Sequence, residues 1–326
     1  MNNGALVPVE RKPDHDNVRI LTVRGTAICL CGGLMSIITP AISCVLMSFG
    51  MSLLGREPLG RRGVASGLVA CVFAAVGGAL LLGNPTVIVS ALIACAMSCA
   101  SAYLASIRKL DATRMVVLAA IFGLAMVLGD LVLSRIQGTT VESILGDYYD
   151  SSIKDMMSNA DIESRMLLRQ ARELYITYWP TMYFATAILM TVLARCGARI
   201  GVGVWDTGSG LSSLAIPRWA VMALAVFLAV DLVATRVIAD TPHVIVVMGA
   251  NLVSCARIVL AAQGLGVLLW FLENHNAGRA TKVASGVLAA LLEIMFAVMS
   301  VVGLVDTAVD FRRRKRESMD SQDEIG

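Results

Sequence analysis

Long stretches without a charged side chain recur along this sequence, and they constrain its fold more than any other feature. Residues 25–54, 64–83 and 86–107 contain no Asp, Glu, Lys or Arg. A helix needs about 20 mostly apolar residues to cross the hydrocarbon core of a bilayer. These stretches are long enough, and they do not alternate apolar with polar residues as transmembrane strands do. The sequence therefore predicts an all-α, polytopic membrane helix bundle.

Five further segments extend this pattern, each with at most one charged residue in its interior. They are residues 115–133, 174–194, 219–234, 244–272 and 283–305. Apolar residues make up 57 % of the chain and charged residues 16 %, against about 45–50 % and about 25 % in soluble proteins. We therefore expect about eight transmembrane segments, and we exclude a disordered chain, a disulfide-stapled secreted fold and a plain cytosolic enzyme.

The chain is organised as one membrane domain between two charged tails. We expect a cytoplasmic N-terminal tail over residues 1–24, a single membrane domain over 25–311 and a charged C-terminal tail over 312–326. Residues 139–173 are the one sizeable polar piece inside the membrane domain, and we expect them outside the bilayer.

The positions of the basic residues favour a first segment that is broken at Pro40. If residues 25–54 form a hairpin and 283–305 a bent or re-entrant element, 20 Lys and Arg residues lie on one side and 6 on the other. Eight simple crossings give a weaker separation. Because cytoplasmic loops are enriched in Lys and Arg, we expect the protein in the inner (cytoplasmic) membrane with both termini in the cytoplasm. The hairpin arrangement places residues 139–172 outside the cell, which we favour, whereas eight simple crossings place them on the side of the termini.

The polar segment before residue 174 has the pattern of an amphipathic surface helix. Ser158, followed by Asp161, resembles a helix N-cap with an acidic first turn. Ile162, Met166 and Leu174 are roughly in helical register, with arginines elsewhere. A helix of this kind lies on a membrane with its apolar face down. It is interpreted as a connector that covers the bundle, or alternatively as a gate or a docking helix.

Polar residues inside the predicted spans are the candidates for chemistry, because such residues are costly in a membrane and usually have a reason to be there. They are the charged residues Asp130, Asp231, Arg257 and Glu293 and the amides Asn251 and Gln263. We expect Arg257 to pair with Glu293 or Asp231. The pair is either structural, locking the bundle, or part of a ligand or ion site. Residues 251, 257 and 263 are six apart, so they point about 120° from one another on a helix and do not share a face.

Signatures of enzymes, metal sites and nucleic-acid binding fail in this sequence. Residues 127–130 read Val-Leu-Gly-Asp, where an intramembrane aspartyl protease needs Gly-x-Gly-Asp. There is no phosphate-binding Gly-x-x-x-x-Gly-Lys-Ser/Thr motif. The eight cysteines include no Cys-x-x-Cys pair and no His stands at ligand spacing, so we expect packing cysteines, no metal and no cofactor. No basic face alternates with aromatic residues, which argues against nucleic acid.

The C-terminal third resembles a known family. The residues concerned are Asn251-Leu252, then Gln263-Gly264-Leu265-Gly266-Val267, Gly303-Leu304-Val305-Asp306, and Asp310-Phe311-Arg312 with the basic residues that follow. This pattern is similar to that of the YybS-like family of predicted bacterial multi-pass membrane proteins, a domain of unknown function. In that comparison Asp306, Asp310 and Arg312 belong to the family's tail motif. The layout is also distantly similar to the substrate-binding subunits of energy-coupling-factor transporters.

Two functions of different classes are expected, the first from the charged residues within the spans and from the resemblance, the second from the stripes of small packing residues and the basic tail. The first is a substrate-binding or transport-related subunit without its own ATPase, which would work with a separate ATPase module. The second is a structural or interaction scaffold of the cell envelope, related to division or sporulation. Membrane lipid is the partner that the composition itself implies. We expect no enzymatic activity.

Overall fold

A computed structural model describes residues 15–56, 59–83, 85–107, 109, 112–159, 161–203 and 243–309, together with residues 212, 214, 216, 221 and 226. Within these residues the chain forms eleven helices and no strand, which confirms the all-α class. The helices are α1 (His15–Met35), α2 (Pro40–Leu54), α3 (Gly60–Leu82), α4 (Pro85–Ser106), α5 (Ala112–Ile136), α6 (Val141–Asn159), α7 (Ile162–Thr177), α8 (Trp179–Val202), α9 (His243–Asn274), α10 (Arg279–Phe296) and α11 (Val298–Val309).

Five of these helices are long and apolar enough to cross a membrane, and a bent pair makes a sixth candidate. The five are α3, α4, α5, α8 and α9, and the pair is α10 with α11. Two of the eight predicted segments are therefore not among them. Residues 25–54 divide into two shorter helices. Of residues 219–234 the structure describes only 221 and 226, and Asp231 lies outside the described residues.

The first predicted segment is a helical hairpin, as the basic residues indicated. Pro40 occupies the first position of α2, where its missing N–H costs nothing. A Cβ built on Gly25 would lie 2.7 Å from Leu54, and one on Gly32 would lie 2.8 Å from Met47. The residue nearer the start of α1 thus contacts the residue nearer the end of α2. The two helices therefore run antiparallel. The break predicted at Pro40 is confirmed.

Small residues let the helices of a first compact unit approach closely. This unit takes its described residues from Met1–Lys109 and Met190–Trp205. A Cβ on Gly33 would lie 2.5 Å from the carbonyl oxygen of Cys71. The side chains of Cys29, Cys44, Cys71 and Cys95 are fully buried as free thiols. Such contacts are typical of helix packing in lipid, and they fit the interpretation of these cysteines as packing residues.

A second compact unit takes its described residues from Leu110–Leu189 and Asp206–Gly326. Its polar segment forms two helices, α6 and α7, where the sequence predicted one. The two pair through Arg172, whose Nε lies 2.9 Å from the Asp150 carboxylate, and through the Tyr149 hydroxyl, which donates to the Leu168 carbonyl. Helix α7 has no buried residue, and Ile162, Met166 and Leu174 are all exposed. This exposure fits an amphipathic helix against lipid.

The N-cap predicted at Ser158 is wrong. The cap of α7 is Asp161, whose backbone is extended and whose carboxylate accepts a 3.0 Å hydrogen bond from the Ser164 N–H. Ser158 lies within α6 and donates its hydroxyl to the Asp155 carbonyl. Both residues can serve as caps, and the one nearer to the apolar run of α7 takes the role.

The last predicted segment bends sharply. Helices α10 and α11 meet at an angle of 98°. The bend is at Ala297, which has a left-handed backbone with φ of 56°, a conformation that costs energy for a residue with a Cβ. The expectation of a bent or re-entrant element over residues 283–305 is thereby confirmed.

Candidate functional site

Arg257 and Glu293 form an ion pair in the second unit. The Arg257 Nε donates to the Glu293 Oε1 at 2.8 Å. The Arg257 Nη2 donates to the backbone carbonyl of Glu293 at 2.5 Å. The carboxylate is 17 % exposed and the guanidinium side chain 47 %. Of the two acids proposed for Arg257, the structure thus provides Glu293, and Asp231 lies outside the described residues.

Glu293 also caps the helix beyond the bend. Its carboxylate accepts hydrogen bonds from the Ser300 N–H at 2.9 Å and from the Ser300 hydroxyl at 2.7 Å. Ser300 stands at the third position of α11, where a backbone N–H has no partner in its own helix. Ala297 precedes α11 and has no side chain that could cap it. The acid four residues earlier takes over that function. Arg257 adds a second hydrogen bond to the Glu293 carbonyl, which also accepts from the Ala297 N–H at 3.0 Å.

A cavity of about 520 Å³ lies beside this pair. Its lining is apolar apart from Arg257, Glu293 and one hydroxyl. The other lining residues are Ser254, Ile258, Ala261, Ala262 and Leu265 from α9, Ala289, Ala290 and Ile294 from α10, and Met299 from α11. Pockets that bind small molecules have this character, being mostly apolar with a few polar groups that fix orientation.

Gln263 forms a second polar cluster with α11. Its side-chain amide donates to the Asp306 carboxylate at 3.0 Å and to the Thr307 hydroxyl at 2.9 Å. Its carbonyl oxygen accepts from the Ile216 N–H at 3.0 Å. All three side chains are buried. The cluster uses the donors and the acceptor of the amide, so it fastens α9 to α11 and leaves little for a ligand.

Two glycines of the C-terminal motif permit this contact. A Cβ on Gly264 would lie 2.0 Å from the Met299 carbonyl oxygen, and one on Gly303 would lie 2.0 Å from the Leu260 carbonyl oxygen. No side chain fits at either position. The motif that carried the family resemblance therefore contains residues that bring α9 and α11 together.

Asn251 joins α9 to the end of α7 and the start of α8. Its side-chain oxygen accepts from the Thr181 hydroxyl at 2.7 Å and from the Thr181 N–H at 3.0 Å. Its amide nitrogen donates to the carbonyls of Thr177 and Val247. Asn251, Arg257 and Gln263 thus have three separate sets of partners, as their spacing predicted.

Asp130 is bound by an aromatic neighbour. The hydroxyl of Tyr183 donates a hydrogen bond to its carboxylate. The ring of Tyr183 meets that of Trp179 edge to face, with centroids 5.5 Å apart, and Trp179 packs with Val141 and Leu145. A carboxylate of this kind is satisfied locally, so Asp130 does not join the Arg257 pair.

Two positions of the tail motif, Asp310 and Arg312, lie outside the described residues. Within the described residues there is no group of three or more His, Cys, Asp or Glu side chains that could hold a metal ion.

Three hydroxyl residues that bind the candidate side chains, Thr181, Tyr183 and Ser300, could not be recognised from the sequence. Uncharged hydroxyls are common in membrane helices and carry no signal of their own.

Comparison with known proteins gives a family and little more. No curated protein matches the chain, and no solved structure does. One family of proteins, described as predicted membrane protein (DUF2232), matches residues 26–307. That range begins within α1 and ends within α11, and it contains all of the described helices between them. The chain belongs to the DUF2232 family of predicted membrane proteins.

Proposed function

We propose that this protein is a substrate-binding or transport-related subunit that contains no ATPase of its own and does not act as an enzyme. The observation that carries the proposal is the Arg257–Glu293 pair on the wall of a cavity of about 520 Å³. A charged pair within membrane helices is expensive. Here nearly half of the guanidinium side chain remains exposed, which leaves it available to a bound molecule.

The structural role of the pair does not account for this exposure. Glu293 is used fully, since it holds Arg257 and caps α11 through Ser300. Arg257 donates through Nε and Nη2, and its Nη1 has no partner among the described residues. A polar group of a ligand placed in the cavity would complete its hydrogen bonding, while the aliphatic lining would bury an apolar body.

The sequence resemblance points in the same direction. YybS-like proteins have a similar layout, and substrate-binding subunits of energy-coupling-factor transporters are distantly similar. Such a subunit would work in the cytoplasmic membrane with a separate ATPase module.

The test is purification of the protein from native membranes in lipid nanodiscs, followed by mass spectrometry of bound small molecules and proteins. We expect a small molecule to be retained and an ATPase module to co-purify. Ala261→Phe would place a phenyl ring in the cavity beside Arg257 and should weaken retention of the molecule. Leu288→Phe, on an exposed part of α10, is the matched control and should retain it. A preparation that holds neither a small molecule nor an ATPase would contradict the proposal.

A scaffold of the cell envelope is the second candidate, and the α6–α7 pair favours it. Helix α7 exposes apolar and charged side chains together and buries none, which suits contact with another protein as well as lipid. Crosslinking that recovers only structural envelope proteins, with no uptake defect in a deletion strain, would support this candidate over the first.

A further inference from the structure

One end of the first unit is basic. Among its described residues from 19 to 109 and from 190 to 203, every charged side chain is Lys or Arg. The one acid in these stretches of sequence, Glu57, lies outside the described residues. The hairpin tip at Ser36–Thr39, at the opposite end, carries no charge. The charge is therefore concentrated on one side of the membrane.

Contacts between helices bring these residues to one level. Arg24 precedes Gly25, which packs against Leu54, the last residue of α2. Arg61 is the second residue of α3, and its guanidinium lies 5.6 Å from the ring centroid of Tyr103, near the end of α4. Tyrosine is enriched at the level of lipid headgroups. This level is thus the membrane–water interface of the unit.

One arginine at this end is already used by the fold. The Arg56 Nε donates to the Gly201 carbonyl at 2.7 Å, at the C-terminal end of α8, where carbonyls lack partners. Arg24, Arg61 and Arg62 are exposed and none has an ion pair with an acid among the described residues. Guanidinium groups without a carboxylate partner attract a phosphate, which they can bind in a bidentate manner.

An apolar stripe continues from these arginines along α3. Arg62, Ser66, Val69 and Phe73 follow one another at helical spacing. Val69 is 68 % exposed and Phe73 77 %. The stripe faces away from the unit, so it is available to hydrocarbon chains. A cationic group above an apolar stripe complements a molecule with an anionic head and an apolar tail.

We propose that Arg24, Arg61 and Arg62 bind the phosphate of an anionic phospholipid whose acyl chains lie along the outer stripe of α3. The site is separate from the cavity beside Arg257 and doesn't depend on a transport role. An acidic protein would complement the arginines, but its acidic side chains would not bind the apolar stripe of α3.

The test measures which lipid the full-length protein retains. The protein is placed in nanodiscs of phosphatidylcholine with one quarter phosphatidylglycerol, and native mass spectrometry compares the two lipids that remain bound. We expect a clear preference for phosphatidylglycerol. Replacing Arg61→Gln and Arg62→Gln together should lower the preference by roughly thirtyfold, the effect of two basic residues near a charged surface.

Two controls distinguish loss of charge at this site from other effects of substitution. The pair Arg61→Lys and Arg62→Lys keeps both charges and should retain most of the preference. Lys154→Gln removes an exposed charge from α6 and should change nothing. If the glutamine variant does not fold, the salt dependence of the wild type decides, since exposed charges are screened at high ionic strength and the preference should then fall.

Three results would overturn the proposal. They are equal retention of both lipids by the wild type, an unchanged preference in the folded glutamine variant, and a preference that does not respond to salt. Capture of an acidic soluble protein through Arg61 and Arg62, without lipid preference, would assign this surface to a protein partner instead.

Discussion

Glu293 shows how a single residue can serve the fold and a cavity together. It pairs with Arg257 and caps α11 through Ser300. A carboxylate in membrane helices is costly unless its lone pairs are used, and here both oxygens accept hydrogen bonds. The same residue forms part of the cavity wall. The sequence made Glu293 a candidate by its charge, but the capping role depends on a bend that the sequence did not locate.

The pair predicts a specific pattern of stability. Arg257→Gln leaves the Glu293 carboxylate without a counter-charge beside an apolar cavity, and we expect the free energy of unfolding to fall by about 1–3 kcal/mol. Arg257→Gln combined with Glu293→Gln removes both charges. Its loss should be smaller than the sum of the two single losses, which a double-mutant cycle from thermal unfolding in nanodiscs measures. Arg169→Gln, on α7 outside this cluster, is the control. Strictly additive losses would show that the pair is not coupled.

The cap at Asp161 should make the stability of the first turn of α7 depend on pH. The pKa of its carboxyl lies below the usual value because Ser164 donates hydrogen bonds to the ionised form, from its side chain first and then from its backbone. Because the pKa is lowered in the folded protein, the ionised cap stabilises α7 fully at pH values above the usual aspartate pKa of about 3.9. This stabilisation is lost as the pH falls through the lowered pKa.

Hydrogen exchange of the first turn of α7, corrected for intrinsic rates, should show lower protection in acid than at neutral pH. Asp161→Asn keeps an acceptor without a titrating group and should show little change with pH. Equal pH dependence in the two proteins would contradict the assignment of Asp161 as the cap.

At the scale of elements, close contacts without side chains hold the helices together. A Cβ on Gly63 would lie 1.8 Å from the Leu54 carbonyl oxygen, a backbone atom that cannot move aside. Gly77, on the same helix, has nothing within 4 Å. Two glycines of one helix therefore have opposite roles, and only the first is required by the contact between α2 and α3.

These two positions make a matched pair of variants. Gly63→Ala should lower the free energy of unfolding by about 1–3 kcal/mol, because the extra methyl forces the helices apart. Gly77→Ala should be neutral or stabilising by up to about 1 kcal/mol, since alanine costs less backbone entropy in a helix. Thermal unfolding in nanodiscs compares them. A similar loss in both variants would indicate that helix propensity, and not the close contact, decides.

The elements show which breaks a sequence can reveal. The break at Pro40 could be predicted because proline begins helices and ends the preceding one. The bend at Ala297 has no such residue, and only the count of basic residues indicated that the segment over residues 283–305 was irregular. Helix α6 was missed because its residues carry no apolar stripe as clear as that of α7. The ion pair was predictable from charge, whereas the clusters of Gln263 and Asn251 depend on neighbours distant in sequence.

At the scale of the whole molecule, the arginines that flank the hairpin indicate how deeply it enters the membrane. Helix α2 has 15 residues, about 22 Å of helix, which is shorter than the hydrocarbon core of about 30 Å. The hairpin tip at Ser36–Thr39 thus remains within the thickness of the bilayer when Arg24 and Arg56 lie at its surface.

This geometry predicts labelling from one side only. With the exposed Cys31 and Cys196 replaced by Ser, Arg24→Cys and Arg56→Cys should both react with an impermeant maleimide added to the same face of sealed vesicles. Ile38→Cys, at the tip, should react poorly from either face. Reaction of the two flanking positions from opposite faces would mean that residues 25–54 cross the membrane once.

The short hairpin also matters while the protein is being made. Since α1 and α2 leave the bilayer where they entered it, no polar residue between Arg24 and Arg56 has to be translocated by the insertion machinery. Helix α1 released into lipid alone would lack the glycine contacts at Gly25 and Gly32 that α2 fills. About 30 residues beyond Arg24 must therefore be synthesised before the hairpin can form, and the two helices insert into the membrane together.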